Sequence, residues 1–146
     1  MALKVELKPH ERIIIGKVVI RNDDQRTRLF IEGEAPILRE KDILNPASAD
    51  TPAKSIYLAV QLMYLSQDLS PHYEAYFELV RQFLEAAPSA LATVAEINNR
   101  ILSGDLYKAL KAAKSLIEYE QELIAHATRG DRLRQGGPND PIPQGA

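Results

Sequence analysis

The sequence of 146 residues contains no cysteine, which excludes disulfide bonds, thiolate zinc sites and cysteine nucleophiles. It also lacks any run of about 20 apolar residues, the length that a membrane-spanning helix needs. Its N-terminus alternates polar and apolar residues and has no continuous apolar segment of the kind found in signal peptides. We therefore expect a cytoplasmic protein with no membrane partner.

Positive charge is not in excess either. The chain has 18 Lys and Arg against 20 Asp and Glu, a formal net charge of −2. Proteins that bind nucleic acid without selectivity usually carry a strong basic excess, so any nucleic-acid contact must come from a local patch.

Catalytic motifs are also missing from the sequence. There is no glycine loop for phosphate, no GxSxG nucleophile turn and no pair of histidines at the spacing of metal ligands. We therefore predict a binding protein that is not an enzyme and has no metal or cofactor site.

The first 44 residues carry the patterns of β-strands. Apolar residues alternate over 3–8 and again over 26–32, which predicts two half-buried strands. The run 13–20 is apolar at both parities and β-branched, so we predict one central strand covered on both faces, with Gly16 at a bulge or bend. Residues 37–39 are predicted as a short last strand. Because all these segments are close in sequence, we predict a small antiparallel meander.

Helical periodicity begins after a linker at residues 45–50, where the spacing of apolar residues changes from 2 to 3.6. Four helical segments start at residues able to cap a helix N-terminus, and the first two are followed by proline. The predicted starts are Thr51, Ser70, Ser89 and Asp105. The predicted ends are about Gln67, the residue before Pro88, residues 103–104 and roughly His126.

Helices of this length with short connections pack as antiparallel neighbours, so we predict a bundle of four helices over residues 51–128. Residues 129–146, with several glycines and prolines, are predicted to be a flexible tail. The fold class that follows is α+β, with a β module at residues 1–44 in front of the bundle.

A group of cationic and aromatic side chains on the predicted strands has two interpretations. Guanidinium groups can bind phosphates and an aromatic ring can stack on a base, which is how a small sheet can hold single-stranded RNA. The alternative is a solvated face whose cations pair with Glu6 and Glu32 across strands, and the residues alone favour this alternative. The side chains concerned are Lys4, Lys8, Arg26, Arg28 and Phe30.

The last predicted helix has a basic half followed by an acidic half. Two such helices running antiparallel are complementary in charge, which suggests a homodimer or a partner helix of matching charge. An ordinary solvated face is the alternative. The residues of this hypothesis are Lys108, Lys111, Lys114, Glu118 and Glu122.

Several segments of the chain match, in order, those of one protein family. They read LKVELKP, ERIIIG, DQRTRL, APILREKDIL, ADTPAK and IYLAVQLMYL, at residues 3–9, 11–16, 24–29, 35–44, 49–54 and 56–65. Over roughly residues 1–125 the sequence resembles the FlbT family of flagellum biosynthesis repressors. This resemblance implies post-transcriptional control of flagellin through association with the 5′ untranslated region of flagellin mRNA. It also implies work alongside a second flagellar regulator, FlaF.

The β module further resembles the carbon storage regulator family of small RNA-binding β proteins. In that family a basic residue near the end of the first strand and an arginine near the end of the last strand hold RNA, and the matching positions here are Lys8 and Arg39. Leu7 stands where that family has a second arginine. Arg39 therefore joins the residues for which we expect RNA contact. The rival expectation is a protein-binding adaptor whose helices contact flagellin or FlaF, so that effects on mRNA are indirect.

Overall fold

The computed structural model describes residues 2–135 and shows five β-strands followed by four α-helices, which confirms the predicted α+β class. The strands are β1 (Ala2–Leu7), β2 (Arg12–Ile15), β3 (Val18–Arg21), β4 (Thr27–Glu32) and β5 (Ile37–Arg39). The helices are α1 (Pro52–Ser66), α2 (Ser70–Ala86), α3 (Leu91–Leu102) and α4 (Leu106–Gln135). Short 3-10 turns lie at Glu40–Asp42, Pro46–Ser48 and Pro88–Ala90.

The strands do not form the predicted meander. β1 pairs antiparallel with β4, and β2 lies between β3 and β5 in a second antiparallel sheet. The buried side chain of Asn22 explains this connection, because its Nδ2 donates to Leu7 O at 3.2 Å, Lys8 O at 2.8 Å and Gln25 O at 2.8 Å. These bonds join the turn before β4 to the end of β1, so that β4 returns along β1.

The prediction of one central strand over residues 13–20 is also wrong. The run is divided by a two-residue turn, in which Gly16 has φ 62° and Ile15 pairs with Val18. A glycine with positive φ at the first turn position suits a tight hairpin whose twist matches its strands. Only β2 is central, whereas β3 lies at the edge of its sheet and is exposed throughout.

The β module contributes to two apolar cores. In the smaller core, Val5 and Leu7 of the β1–β4 ribbon pack against Ile13 of β2. The larger core lies among the helices and also includes Leu38 of β5, which is 1% exposed. Strand β5 therefore belongs to the sheet and to the helical core at once.

Three side chains on one face of α1 hold the segment 37–44 by its backbone. Tyr64 OH donates to Ile37 O and accepts from Ile37 N, both at 3.0 Å. Gln61 Nε2 donates to Leu44 O at 3.1 Å, and Gln61 Oε1 accepts from Leu44 N at 2.8 Å. We refer to Tyr57, Gln61 and Tyr64 as the α1 clamp.

The third member of the clamp, Tyr57, donates its hydroxyl to Asp42 O at 2.5 Å. Burial, and secondly the charge of Asp42, raise the pKa of Tyr57 above its ordinary value, so this phenol remains a donor. The carboxylate of Asp42 is itself buried and accepts a hydrogen bond from Lys114 Nζ of α4 at 3.0 Å. The segment that follows β5 is thus attached to α1 and α4 together.

The helix starts agree with prediction at three of the four positions. Thr51 caps α1 by accepting from Lys54 N at 3.3 Å, and Asp105 accepts from Lys108 N at 3.4 Å at the start of α4. α2 begins at Ser70 as expected, but Leu69 and not Ser70 is its N-cap, and no side chain caps this helix. Ser89 does not cap α3, because it lies inside the 3-10 turn Pro88–Ala90 and its hydroxyl bonds with the Tyr119 hydroxyl instead.

Helix α4 is longer than predicted. It has 30 residues and runs through Gly130 to Gln135, so its predicted end near His126 is wrong, and residues 129–135 of the predicted tail are helical. One glycine inside a helix costs only about 1 kcal/mol, which the helix-forming Ala, Leu, Arg and Gln around it can offset. Residues 136–146 of the predicted tail lie outside the described residues.

A buried glutamate of α4 also supports the start of α1. Glu120 is 6% exposed, and its Oε2 accepts from Ala53 N at 3.0 Å. A carboxylate at this position accepts a hydrogen bond from an N–H that has no partner within the helix. It is also stabilised by the positive end of the helix dipole.

Replacing Gln61 by leucine tests the α1 clamp. The variant Gln61→Leu leaves the N–H and C=O of Leu44 without their partners, and a buried unpaired group costs about 1–3 kcal/mol. We expect the free energy of unfolding, measured by urea denaturation, to fall by about 2–4 kcal/mol. The control Gln121→Leu changes an exposed glutamine of α4 and is expected to alter it by less than about 0.5 kcal/mol. Equal effects of the two substitutions would contradict a structural role for the clamp.

Candidate nucleic-acid interface

The β1–β4 ribbon presents one polar face away from the small core. In its register Lys4 lies opposite Phe30, and Glu6 lies opposite Arg28. Opposite residues of an antiparallel pair share a face, and the intervening Val5 and Leu7 point into the core. Strand alternation therefore predicted this face correctly.

Glu6 lies at the centre of the face and pairs weakly with two arginines. Its Oε1 is 3.7 Å from Arg26 Nη1, and its Oε2 is 3.8 Å from Arg28 Nε. All three side chains are about half exposed, and ion pairs of this kind contribute about 0–1 kcal/mol. The cross-strand ion pairs that the alternative interpretation expects are thus present at Glu6, whereas Glu32 has none among the described residues.

A third arginine reaches the same residue from the other sheet. Arg39 is the last residue of β5, and its Nη2 donates to the backbone O of Glu6 at 3.2 Å. We refer to Arg26, Arg28 and Arg39 around Glu6 as the arginine cluster. The sequence indicated each of these arginines separately but not that they meet at Glu6, because β5 and β1 are not neighbours in either sheet.

The remaining RNA-contact candidates flank the arginine cluster. Lys4 is exposed and has no ion pair among the described residues. Lys8 is exposed just beyond the end of β1, where its backbone N donates to Glu11 Oε1 at 2.8 Å. Phe30 is 62% exposed and so contributes little to the core. The face therefore combines five cations, one exposed aromatic ring and a central carboxylate.

The lysines proposed for protein contact have partners within the chain. Lys108 Nζ lies 3.8 Å from Asp105 Oδ2, Lys111 Nζ lies 3.9 Å from Asp42 Oδ2, and Lys114 bonds to the same aspartate. The glutamates of that set, Glu118 and Glu122, have no ion pair among the described residues. Their contact with a second helix or a second copy stays a prediction.

Within residues 2–135, no group of three or more His, Asp or Glu side chains is close enough to hold a metal ion. Among the helices described, none combines the length and the apolar character that crossing a membrane requires.

Comparison with known proteins matches the sequence of this chain to one family. The family model described as flagellar protein FlbT matches residues 3–124. A probable flagellum biosynthesis repressor protein FlbT 1 of Bradyrhizobium diazoefficiens is 61% identical over 124 residues, which cover 84% of this chain and 85% of the relative.

More distant relatives cover a similar share. A probable flagellum biosynthesis repressor protein FlbT of Rhodopseudomonas palustris is 51% identical over 86% of this chain and 99% of its own length. The flagellum biosynthesis repressor protein FlbT of Caulobacter vibrioides is 35% identical over 89% of this chain and 94% of its own. No solved structure matches the chain. The matched family model and these relatives show that the chain belongs to the FlbT family.

Proposed function

We propose that this chain represses flagellum biosynthesis by binding the 5′ untranslated region of flagellin mRNA through the arginine cluster. The names of its relatives support a regulator rather than an enzyme. The observation that carries the RNA role is the meeting of three arginines at one exposed glutamate. Arg26 and Arg28 lie near the carboxylate of Glu6, and Arg39 donates to its backbone O.

The cluster suits the phosphates of an RNA strand. Glu6 holds Arg26 and Arg28 at distances longer than a hydrogen bond, so a phosphate can replace it with little loss. Arginine binds phosphate with two parallel hydrogen bonds, which also fixes the orientation of the ligand.

Phe30 offers a contact to a base, in addition to the contacts of the arginines with phosphates. It lies opposite Lys4 on the same face as Arg28, with most of its ring exposed. Stacking of a base on an aromatic ring contributes about 1–3 kcal/mol and is possible only when the base is unpaired. The face therefore fits a single-stranded segment or loop of the leader.

A protein-binding role for the helices is the second candidate. Between α2 and α3, Tyr73, Phe77 and Leu102 line a small cleft, and Leu102 is 73% exposed. Aromatic side chains are favoured in protein interfaces, so this cleft favours an adaptor that contacts flagellin or FlaF. Binding of RNA by the intact protein, with loss of that binding in sheet variants, favours direct RNA binding over the adaptor.

Alanine variants of the arginine cluster test direct RNA binding. We expect Arg28→Ala and Arg39→Ala each to weaken binding of the flagellin 5′ leader by about tenfold. Each should also reduce the slope of log K against log salt by about 0.7, the value for one lost phosphate contact with a single strand. The measurement is fluorescence anisotropy between 50 and 200 mM salt, with a scrambled RNA of the same length.

The matched control is Arg100→Ala. Arg100 is partly exposed and pairs with Glu96 on α3, so this variant also loses one positive charge and one ion pair. We expect its affinity and salt slope to match those of the unchanged protein. If all three variants bind the leader equally, RNA does not contact the sheet face, and the adaptor is favoured.

Neutralising Glu6 has the opposite effect. In Glu6→Gln the arginines lose their competing carboxylate, so we expect affinity for the leader to rise about threefold to tenfold. This corresponds to an electrostatic gain of about 1 kcal/mol near the surface. The control Glu32→Gln changes the net charge equally on the same face, at a residue with no ion pair among the described residues. A rise of the same size in both variants would assign the effect to net charge and not to the cluster.

A further inference from the structure

Strand β3 is an uncovered edge with apolar side chains on both faces. Val18, Val19 and Ile20 are 57%, 61% and 37% exposed. Proteins normally blunt edge strands with inward charges, proline, bulges or a covering element, because a free apolar edge pairs with other chains. Within residues 2–135 no strand pairs with the outer side of β3.

The exposed apolar side chains of β3 lie beside apolar side chains of β2 that are more buried. Val19 lies beside Ile14, which lies beside Leu38 of the helical core. Ile20 lies beside Ile13, which is fully buried in the small core. The apolar surface of both cores thus extends to the exposed side chains of β3. A further strand paired with β3 would extend both cores.

The backbone of β3 has free hydrogen-bonding groups at the same edge. Hydrogen-bonded pairs alternate along an antiparallel ladder, and Asn22 N donates to Glu11 O at 2.8 Å just beyond β3. Because every second residue before Asn22 has the same orientation, the backbone groups of Ile20 and Val18 form hydrogen bonds with β2. The N–H and C=O of Val19 and Arg21 therefore point outward and are available to another strand.

Two cations mark the ends of this edge. Lys17 and Arg21 are exposed and have no ion pair among the described residues. Lys17 lies in the hairpin turn directly before β3 and Arg21 is the last residue of β3, so one cation lies at each end of the edge. A strand that paired here would be favoured by a carboxylate near each of its ends.

We propose that β3 is a docking edge for an extended segment of another protein, apolar in its centre and acidic at both ends. The segment would add a strand to the β3–β2–β5 sheet, with backbone hydrogen bonds providing affinity and the two cations providing selectivity. This proposal is independent of RNA binding, since the arginine cluster does not include β3.

A second copy of the chain fits the edge less well than such a segment. In the two-fold register centred on Val19, the three apolar residues of one copy lie against those of the other. That register also brings Lys17 near Arg21 of the second copy at both ends, and like charges close together destabilise a strand pair. The charges of the edge thus favour an acidic partner.

Two synthetic peptides test the proposal on the full chain. Both have a Val-Ile-Val centre and blocked ends, and they differ only in carrying glutamate or lysine on both sides of that centre. Titrated into isotope-labelled protein, the glutamate peptide should bind at least tenfold more tightly and shift the amide resonances of residues 18–21. Binding of both peptides with equal affinity, or shifts elsewhere only, would overturn the proposal.

Variants at the β3 edge distinguish strand addition from non-specific binding of the peptide. Val19→Pro removes the outward N–H and should reduce binding of the glutamate peptide at least tenfold, whereas the control Val19→Thr keeps the N–H and should retain binding. The double variant Lys17→Glu with Arg21→Glu changes only exposed charges and should prefer the lysine peptide. Retained binding in Val19→Pro, or an unchanged preference in the double variant, would overturn the proposal. The proposal would also be overturned if the peptide-free protein sedimented as a dimer and Val19→Pro dissociated that dimer. A second copy of the chain would then occupy the edge.

Discussion

The hydrogen bonds between the α1 clamp and the backbone of residues 37–44 hold the two halves of the molecule together. The buried side chain of Gln61 satisfies both polar groups of the half-buried Leu44, where an unpaired amide or carbonyl would be costly. Tyr64 does the same for Ile37 in β5. Because β5 also pairs with β2, fixing this short strand on α1 fixes the three-stranded sheet as well.

The clamp also determines where the arginine cluster forms. Arg39 directly follows Leu38, whose side chain is buried in the helical core, and its own side chain reaches β1. The helices therefore position one of the three guanidinium groups, although no helical residue contributes to the cluster. The chain as a whole is slightly acidic, so the proposed RNA contact depends on a confined basic face and not on a general excess of positive charge.

Strand alternation and helix caps could be read from the sequence because they depend on neighbouring residues. Thr51 before Pro52 gave the correct start of α1, and alternation gave the correct faces of β1 and β4. Contacts distant in sequence could not be read in this way. Asn22 looked like an ordinary turn residue, yet its amide sets the pairing of β1 with β4. Gln61 looked like any polar helix residue, and its role depends on a backbone segment 17 residues earlier.

Mapping the RNA contact by NMR is the most direct test of the proposed function. Isotope-labelled protein would be titrated with the flagellin 5′ leader and with a scrambled RNA, and the backbone amide and arginine side-chain resonances would be followed. We expect the leader to shift resonances of β1, β4 and β5, including the side chains of Arg28 and Arg39, while those of α2 and α3 stay in place. Shifts confined to the helices, or identical shifts with both RNAs, would contradict selective RNA binding by the arginine cluster.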